Sequence, residues 1–176
     1  MKILAVHNRY VQEGGEDEVF AAEAALLESR GHQVVREVDD NDRIEGMSRL
    51  GVAGRTLWNP EWTRRLADVL RRERPDVVHF HGTHLHLNLL LLAWLGGRAP
   101  LVVHSHGGFV PGRAVVRALQ RRSFARVDRF LFTTRDHAAP FVAAGLIPDA
   151  GRVVPFMETS SAFRMLPRDA CRRRTG

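Results

Sequence analysis

Cysteine and long apolar runs are scarce in this sequence. Cys171 is the only cysteine among 176 residues, so the chain forms no internal disulfide and no thiolate cluster for zinc or iron–sulfur. The longest strongly apolar stretch, Leu87–Gly97, has about half of the roughly 20 residues that a membrane-spanning helix needs. The first ten residues lack the apolar segment and cleavage site of a signal peptide. We therefore expect a cytoplasmic protein.

Lysine is almost absent as well. Lys2 is the only lysine among 26 basic residues, a bias more typical of genomic composition than of selection at each site. The formal net charge of +6 favours nucleic acid, anionic lipid or phosphorylated partners without choosing among them. With 44% hydrophobic and 26% charged residues, and a length suited to one domain, the chain is typical of a globular protein.

Short apolar runs alternate with helical patterns along the chain. The predicted strands are residues 2–8, 32–38, 76–80, 100–105, 128–134 and 151–156. The clearest helix is Pro60–Pro75, and the first helix is predicted to bury Val19, Ala22, Leu26 and Leu27 and to stop at Gly31. Residues 39–51 are polar and predict a loop. The alternation indicates an α/β fold, a Rossmann-like doubly wound parallel sheet of about six strands with helices on both faces.

Histidines and one asparagine follow several of the predicted strands. The segment His79–His86 reads HFHGTHLH, and His104 and His106 occur in VVHSHGG. In doubly wound folds, ligands bind beyond the carboxyl ends of the strands. We therefore expect Asn8, His81 and His106 to border one cleft, with the histidines lining its mouth.

The histidine segment also resembles a metal-binding motif. Its pattern is one residue short of the H-x-H-x-D-H motif of the metallo-β-lactamase fold, because Thr83 stands where that motif has aspartate. No acidic residue occurs between Asp76 and Asp128, and metal sites usually add a carboxylate or a thiolate. We therefore expect no metal and no cofactor.

A glycine pair separates the first strand from the first helix. Gly14 and Gly15 form either a plain tight turn or a loop whose N–H groups approach a phosphate at the amino end of the helix. The positions from Gly14 read GGEDEV, which does not fit the G-x-G-x-x-G of dinucleotide-binding proteins. A nicotinamide cofactor is therefore not favoured.

Five segments occur in a characteristic order over nearly the whole chain. They are KILAVHNRYVQEGGEDEVFAAEAALLESRGHQVV, RPDVVHFH, APLVVHSHGG, ARVDRFLFTT and AGLIPDAGRVVPF. Together they resemble the amino-terminal domain of the GT-B glycosyltransferases of the large retaining family 4. Two places depart from the family pattern: the exit strand reads VVPFMETS instead of V-I-P-N-G, and Thr133–Arg135 replaces a serine followed by glutamate. We assign no site residues there.

The resemblance implies a domain organisation and a function. Residues 1–160 correspond to the acceptor-binding domain, and residues 161–176 to a basic tail leading toward an absent nucleotide-sugar-binding domain. The implied activity is transfer of a sugar from a nucleotide-sugar donor to a hydroxyl of a sugar, lipid-linked or small-molecule acceptor, and the isolated domain is expected to be inactive. The alternative is a binding module or subunit without activity of its own.

The resemblance also assigns roles to particular residues. His106 matches a family histidine near the transferred sugar and is the expected catalytic residue. Gly14 and Gly15 match the loop beside the donor diphosphate, and Gly107 follows the family histidine. Glu16 and its neighbour Asp17 contact acceptor hydroxyls or stabilise the helix amino end, and we favour the second role.

A basic stripe lies on the helix predicted after the fourth strand. Arg113, Arg117 and Arg121 recur every four residues. In relatives with lipid-linked acceptors, a comparable helix docks on anionic membrane, which would place the protein at the inner membrane face; a solvated surface is the interpretation we prefer. Nucleic acid is not expected, because no aromatic residues alternate with the arginines.

Overall fold

The structure is a computed structural model that describes residues 1–9, 15–40, 51, 54, 58–82, 91–106 and 109–157. Its strands are β1 (Lys2–Arg9), β2 (Gln33–Asp40), β3 (Val77–His81), β4 (Leu101–Ser105), β5 (Arg129–Phe132) and β6 (Val153–Pro155). Its helices are α1 (Gly15–Ser29), α2 (Pro60–Glu73), α3 (Leu91–Leu95), α4 (Ala114–Phe124) and α5 (Arg135–Ala143), with a 3₁₀ turn at Ala150–Arg152. Gly14, Gly107, most of the predicted loop at 39–51 and the basic tail lie outside the described residues.

The six strands form one parallel sheet in the order β2-β1-β3-β4-β5-β6. This confirms the predicted fold class, and each predicted strand matches an observed one with small shifts at its ends. Strand β2 lies on one side of β1, and β3 lies on the other side of β1. The strand order therefore reverses between β1 and β3. In such sheets the crevice for a ligand opens at the carboxyl ends of the strands on either side of the reversal.

The two faces of the sheet differ in chemistry. Side chains alternate between faces along a strand, and Leu4 and Val6 of β1 belong to the apolar core with Val78, Leu101 and Val103. Helices α2, α3, α4 and α5 contribute to that same core. The other face carries His7, paired in register with His81 of β3, which is itself paired with His104 of β4. Helix α1 covers this histidine face, since Asp17 and Phe20 both contact His7.

The buried side of α1 differs from the prediction. The buried residues are Val19, Phe20 and Ala24, whereas Ala22 is exposed and Leu26 is 48% exposed. The prediction placed Leu26 and Leu27 on the buried side, which is what an apolar sheet face would favour. Here the sheet face is lined with imidazoles, so the helix turns Glu23 toward the sheet. The helix does end as expected, with Gly31 at φ 81°.

Helix α2 follows its prediction closely. Asn59 caps its start by accepting a hydrogen bond from the Trp62 N–H at 3.1 Å, and Pro60 occupies the first turn. Leu66 and Val69 are buried. The helix therefore covers the apolar face of the sheet, opposite α1.

Two aspartate side chains accept hydrogen bonds from backbone N–H groups at the starts of strands. The Asp76 carboxylate accepts a hydrogen bond from the Lys2 N–H, and the Asp128 carboxylate accepts one from the Leu101 N–H, both at 2.7 Å. We expect Asp128→Ala to lower the free energy of unfolding by about 1–3 kcal/mol, because it leaves the buried Leu101 N–H without its acceptor. Urea denaturation followed by circular dichroism measures this. Asp128→Asn keeps an acceptor oxygen, and equal losses in both variants would contradict the explanation.

None of the described helices is long and apolar enough to cross a membrane.

Candidate functional site

The carboxyl ends of β1, β3 and β4 bring the predicted site residues to one edge of the sheet. Asn8 lies near the end of β1 and is half-buried, and His106 directly follows β4. Gly15 begins α1, whose first turn starts at this same edge. Gly82 follows β3 with φ 95°, a backbone conformation that favours glycine. Because the strands are parallel, their carboxyl ends meet at this edge. This brings together the predicted site residues Asn8, His81 and His106 and the start of α1.

Five histidines form a continuous row on the face under α1. The ring centroids of His7 and His81 lie 6.3 Å apart, those of His81 and His104 5.3 Å, and those of His104 and His106 4.2 Å. His79 lies beside His81, with 4.3 Å between ring centroids. Strand pairing therefore brings imidazoles that are far apart in sequence into one group.

Three of these histidines are more deeply buried than we expected from the sequence. His79 is 8% exposed, His81 2% and His104 0%, because they project from within β3 and β4 into the layer beneath α1. The expectation that they line an open cleft mouth is therefore wrong for these three, while His106, beyond the strand end, is half-buried. His84 and His86 lie outside the described residues.

Glu23 is the residue that sequence reasoning missed. Its carboxylate lies 3.1 Å from His81 Nε2, 3.2 Å from His104 Nδ1 and 4.0 Å from His79 Nε2. The absence of acidic residues near the histidines in sequence argued against a metal, but the carboxylate comes from the middle of α1. Val19, Phe20 and Ala24 form the buried side of α1, and Glu23 lies on that same side at helical spacing. The sequence therefore contained this pattern, but the prediction chose a different face of the helix as the buried one.

The surroundings set the charge of this group. Burial by itself raises the pKa of the Glu23 carboxyl, but its contacts with His104 and His81 outweigh this and hold the pKa well below its usual range. Burial lowers the pKa of His79 to about 3, and burial also lowers the pKa of His81 against the attraction of Glu23. At neutral pH an anionic carboxylate therefore lies beside the uncharged imidazoles of His79 and His81.

The first turn of α1 is acidic and contacts β1. Glu16, Asp17 and Glu18 lie at its amino end, where negative charge stabilises a helix. Asp17 Oδ1 lies 2.9 Å from His7 Nε2, and the His7 ring stacks on Phe20 at 4.9 Å. Asp17 thus anchors the start of α1 to the end of β1, a role that the sequence did not indicate.

Two arginines of the predicted basic stripe, Arg117 and Arg121, contact backbone carbonyls. Arg117 donates to the Pro111 and Gly112 carbonyls at 3.0 and 2.8 Å, and Arg121 donates to the Gly145 carbonyl at 3.0 Å. Arg121 therefore links α4 to the end of α5. Docking of this helix on an anionic membrane stays a prediction.

Comparison with known proteins identifies relatives by family and by fold. The family model for Glycosyltransferase Family 4 matches residues 13–156, more than half of the chain. A search of curated proteins finds no significant match.

Solved structures share the fold at low sequence identity. A putative UDP-N-acetylglucosamine 2-epimerase from Listeria monocytogenes has a TM-score of 0.60 and 12% identity, covering 97% of this chain and 50% of the epimerase. A UDP-GlcNAc 2-epimerase from Neisseria meningitidis bound to UDP-GlcNAc has a TM-score of 0.59 and 13% identity, covering 88% and 45%. The lipopolysaccharide outer core galactosyltransferase WaaB has a TM-score of 0.52 and 11% identity, covering 88% and 44%. The chain spans half or less of each of these structures.

Proposed function

Because the chain belongs to glycosyltransferase family 4, we propose that it is the acceptor-binding half of a retaining glycosyltransferase. In this proposal a second domain or subunit supplies a nucleotide-sugar donor, and this chain holds the acceptor hydroxyl beside the anomeric carbon. The observation that carries the proposal is the family match together with the position of His106 and the start of α1 at one edge of the sheet. Solved structures with the same fold include a UDP-GlcNAc 2-epimerase bound to UDP-GlcNAc and the S. aureus MnaA–UDP co-structure, which is consistent with such a donor.

In this proposal the residues at the carboxyl edge of the sheet position the substrates and do not act as general acids or bases. The N–H groups in the first turn of α1, starting at Gly15, would stabilise charge that develops on the leaving phosphate. His106 would bind a hydroxyl of the transferred sugar and so fix its orientation. The leaving phosphate would take the acceptor proton in a front-face displacement, the chemistry implied by the family resemblance.

The direct test joins the full chain to the donor-binding domain of a family 4 transferase. With a panel of nucleotide sugars and acceptors, we expect glycosyl transfer by the joined protein, with retained anomeric configuration measured by NMR. The isolated chain should bind no nucleotide sugar in isothermal titration. Tight donor binding by the isolated chain would contradict the division of roles, and conversion of the donor to its epimer without use of an acceptor would contradict transfer.

Gly15→Ala separates a ligand-binding role of the glycine turn from a structural one. A Cβ at Gly15 would meet nothing within 4 Å and Gly15 has no positive φ, so the variant should unfold with a free energy within about 0.5 kcal/mol of wild type. If a phosphate approaches this backbone, the methyl group will displace it, and kcat/KM of the joined protein should fall about 10- to 100-fold. Unchanged kcat/KM would favour the plain tight turn.

Membrane docking through Arg113 and its stripe is an additional proposal about location. Co-sedimentation with vesicles of neutral or anionic lipid checks it, and equal binding to both would end the idea. The location, cytoplasmic and at the inner membrane face, is proposed with it.

A further inference from the structure

We propose that Glu23, His79, His81 and His104 together bind one Zn²⁺ ion in a buried structural site. These four residues are called the His₃Glu cluster below. The proposal goes beyond glycosyl transfer and departs from the sequence-based expectation that the chain binds no metal. It would stand or fall independently of the proposed function.

The donor atoms are already close to a coordination geometry. One ligand atom from each residue lies within 4.8 Å of all the others. A tetrahedral ion with bonds of about 2.0–2.1 Å separates its ligand atoms by about 3.4 Å. Glu23 Oε2 lies 3.1 Å from His81 Nε2 and Glu23 Oε1 lies 3.2 Å from His104 Nδ1, both near that value, and the 4.0 Å from Oε2 to His79 Nε2 exceeds it modestly. Both carboxylate oxygens thus face the three imidazoles, and one of them would bind the ion. Small side-chain shifts would complete the site without moving the backbone.

Three rigid elements hold the ligands. His79 and His81 are alternate residues of β3 and so project from the same face of the sheet. His104 is the register partner of His81 on the adjacent strand β4. Glu23 comes from α1, which lies across these strands. Ligands on regular elements keep their positions better than ligands on loops, so the cluster is preorganised.

A polar atom in the cluster lacks a partner. His79 Nε2 is buried and makes no hydrogen bond within the part of the chain that the structure describes. Its residue is only 8% exposed, and the atom faces the Glu23 carboxylate from 4.0 Å. Leaving a buried polar atom unsatisfied is costly, and a metal bond from this nitrogen would remove that cost.

The donor set selects the class of metal. Three imidazoles and one carboxylate suit zinc and its neighbours Co²⁺, Ni²⁺ and Cu²⁺, whereas Mg²⁺ and Ca²⁺ prefer oxygen ligands. Four protein ligands leave no open position on a tetrahedral ion, and the site is buried, which are the marks of a structural zinc site. Such an ion would lock α1 onto β3 and β4 and so fix the helix start at Gly15 relative to the strand ends.

The experiment titrates metal into the untagged full chain after removal of metal with a chelator. We expect about one Zn²⁺ per chain, with a Kd below about 1 µM at neutral pH. Co²⁺ should give the intense visible absorption of a tetrahedral site, and Zn²⁺ should abolish it by displacement. Free Zn²⁺ at 100 times its Kd should shift the folding equilibrium about a hundredfold toward the folded state.

Variants assign the signal to the cluster. Glu23→Gln and His81→Gln should each weaken binding at least about a hundredfold, since each removes a ligand; even an outer contact typically contributes 10- to 100-fold. His137→Gln, at an exposed histidine of α5, is the matched control and should bind as wild type does. Wild-type affinity in Glu23→Gln or His81→Gln would overturn the proposal, as would loss of binding only in His137→Gln. If the cluster variants fail to fold, the wild-type chain still tests the proposal, because the absence of a tetrahedral Co²⁺ spectrum or of stoichiometric binding would overturn it.

Discussion

Replacing His106 by alanine should lower kcat/KM of the chain joined to a donor-binding domain by about 10²- to 10³-fold, the usual cost of removing one positioned hydrogen-bonding group. His106 follows β4 at the carboxyl edge of the sheet, and its ring lies 4.2 Å from that of the buried His104. The His104 contact limits the movement of the imidazole and aims it at the edge where the proposed ligands bind. Steady-state kinetics with a nucleotide sugar and acceptor measure the loss.

His32→Ala is the matched control for this variant. His32 precedes β2 and therefore lies at the amino edge of the sheet, opposite the proposed cleft. It should leave kcat/KM unchanged, while His106→Asn, which keeps a hydrogen-bonding group, should recover part of the loss. Wild-type turnover by His106→Ala would remove His106 from the mechanism while leaving the family assignment intact.

Acidification of the metal-free chain should strongly reduce its stability. The folded-state pKa of His79 is lowered from 6.5 to about 3, mainly by burial, so between these values the unfolded chain binds a proton that the folded chain does not. The equilibrium constant for unfolding then rises up to tenfold per pH unit for this one group. The loss of stability from this group is therefore absent above about pH 6.5 and grows as the pH falls toward 3. His81, with its pKa also lowered, acts in the same direction.

Glu23 adds a second fall at lower pH. Its folded-state pKa is lowered below 4.5, so its contribution is present above that value and is lost on further acidification. The charged and titratable groups that influence His79 are Glu23, His81, His104 and His106. Urea denaturation at a series of pH values, with a chelator present, measures the profile.

His79→Gln should reduce the slope of the profile between pH 6.5 and 4.5, because it removes the His79 share of the proton difference between the two states and leaves that of His81. The exposed His137→Gln should keep the wild-type slope. A wild-type profile that is flat across this range would show that His79 is solvated, contrary to its 8% exposure in the structure.

Much of the fold could be predicted from local patterns. Short apolar runs ending in polar residues predicted the six strands that the structure describes, and the amphipathic pattern of residues 60–75 predicted α2, in which Leu66 and Val69 are buried. These predictions succeeded because strand and helix periodicities are local properties of the chain. The first helix was predicted in place but with the wrong buried face, because its orientation depends on what the sheet presents to it.

The candidate site divides in the same way. Spacing in the sequence determined that His79 and His81 share one face of their strand and that His104 and His106 share one face of theirs, because side chains alternate along a strand. Only the tertiary structure decided that both pairs lie on the same side of the sheet, in the register that places His81 against His104. It also decided that α1 brings Glu23 within 3.2 Å of the His81 and His104 rings. Strand pairing and helix docking join residues far apart in sequence, so the chemistry of the His₃Glu cluster became visible only in the folded chain.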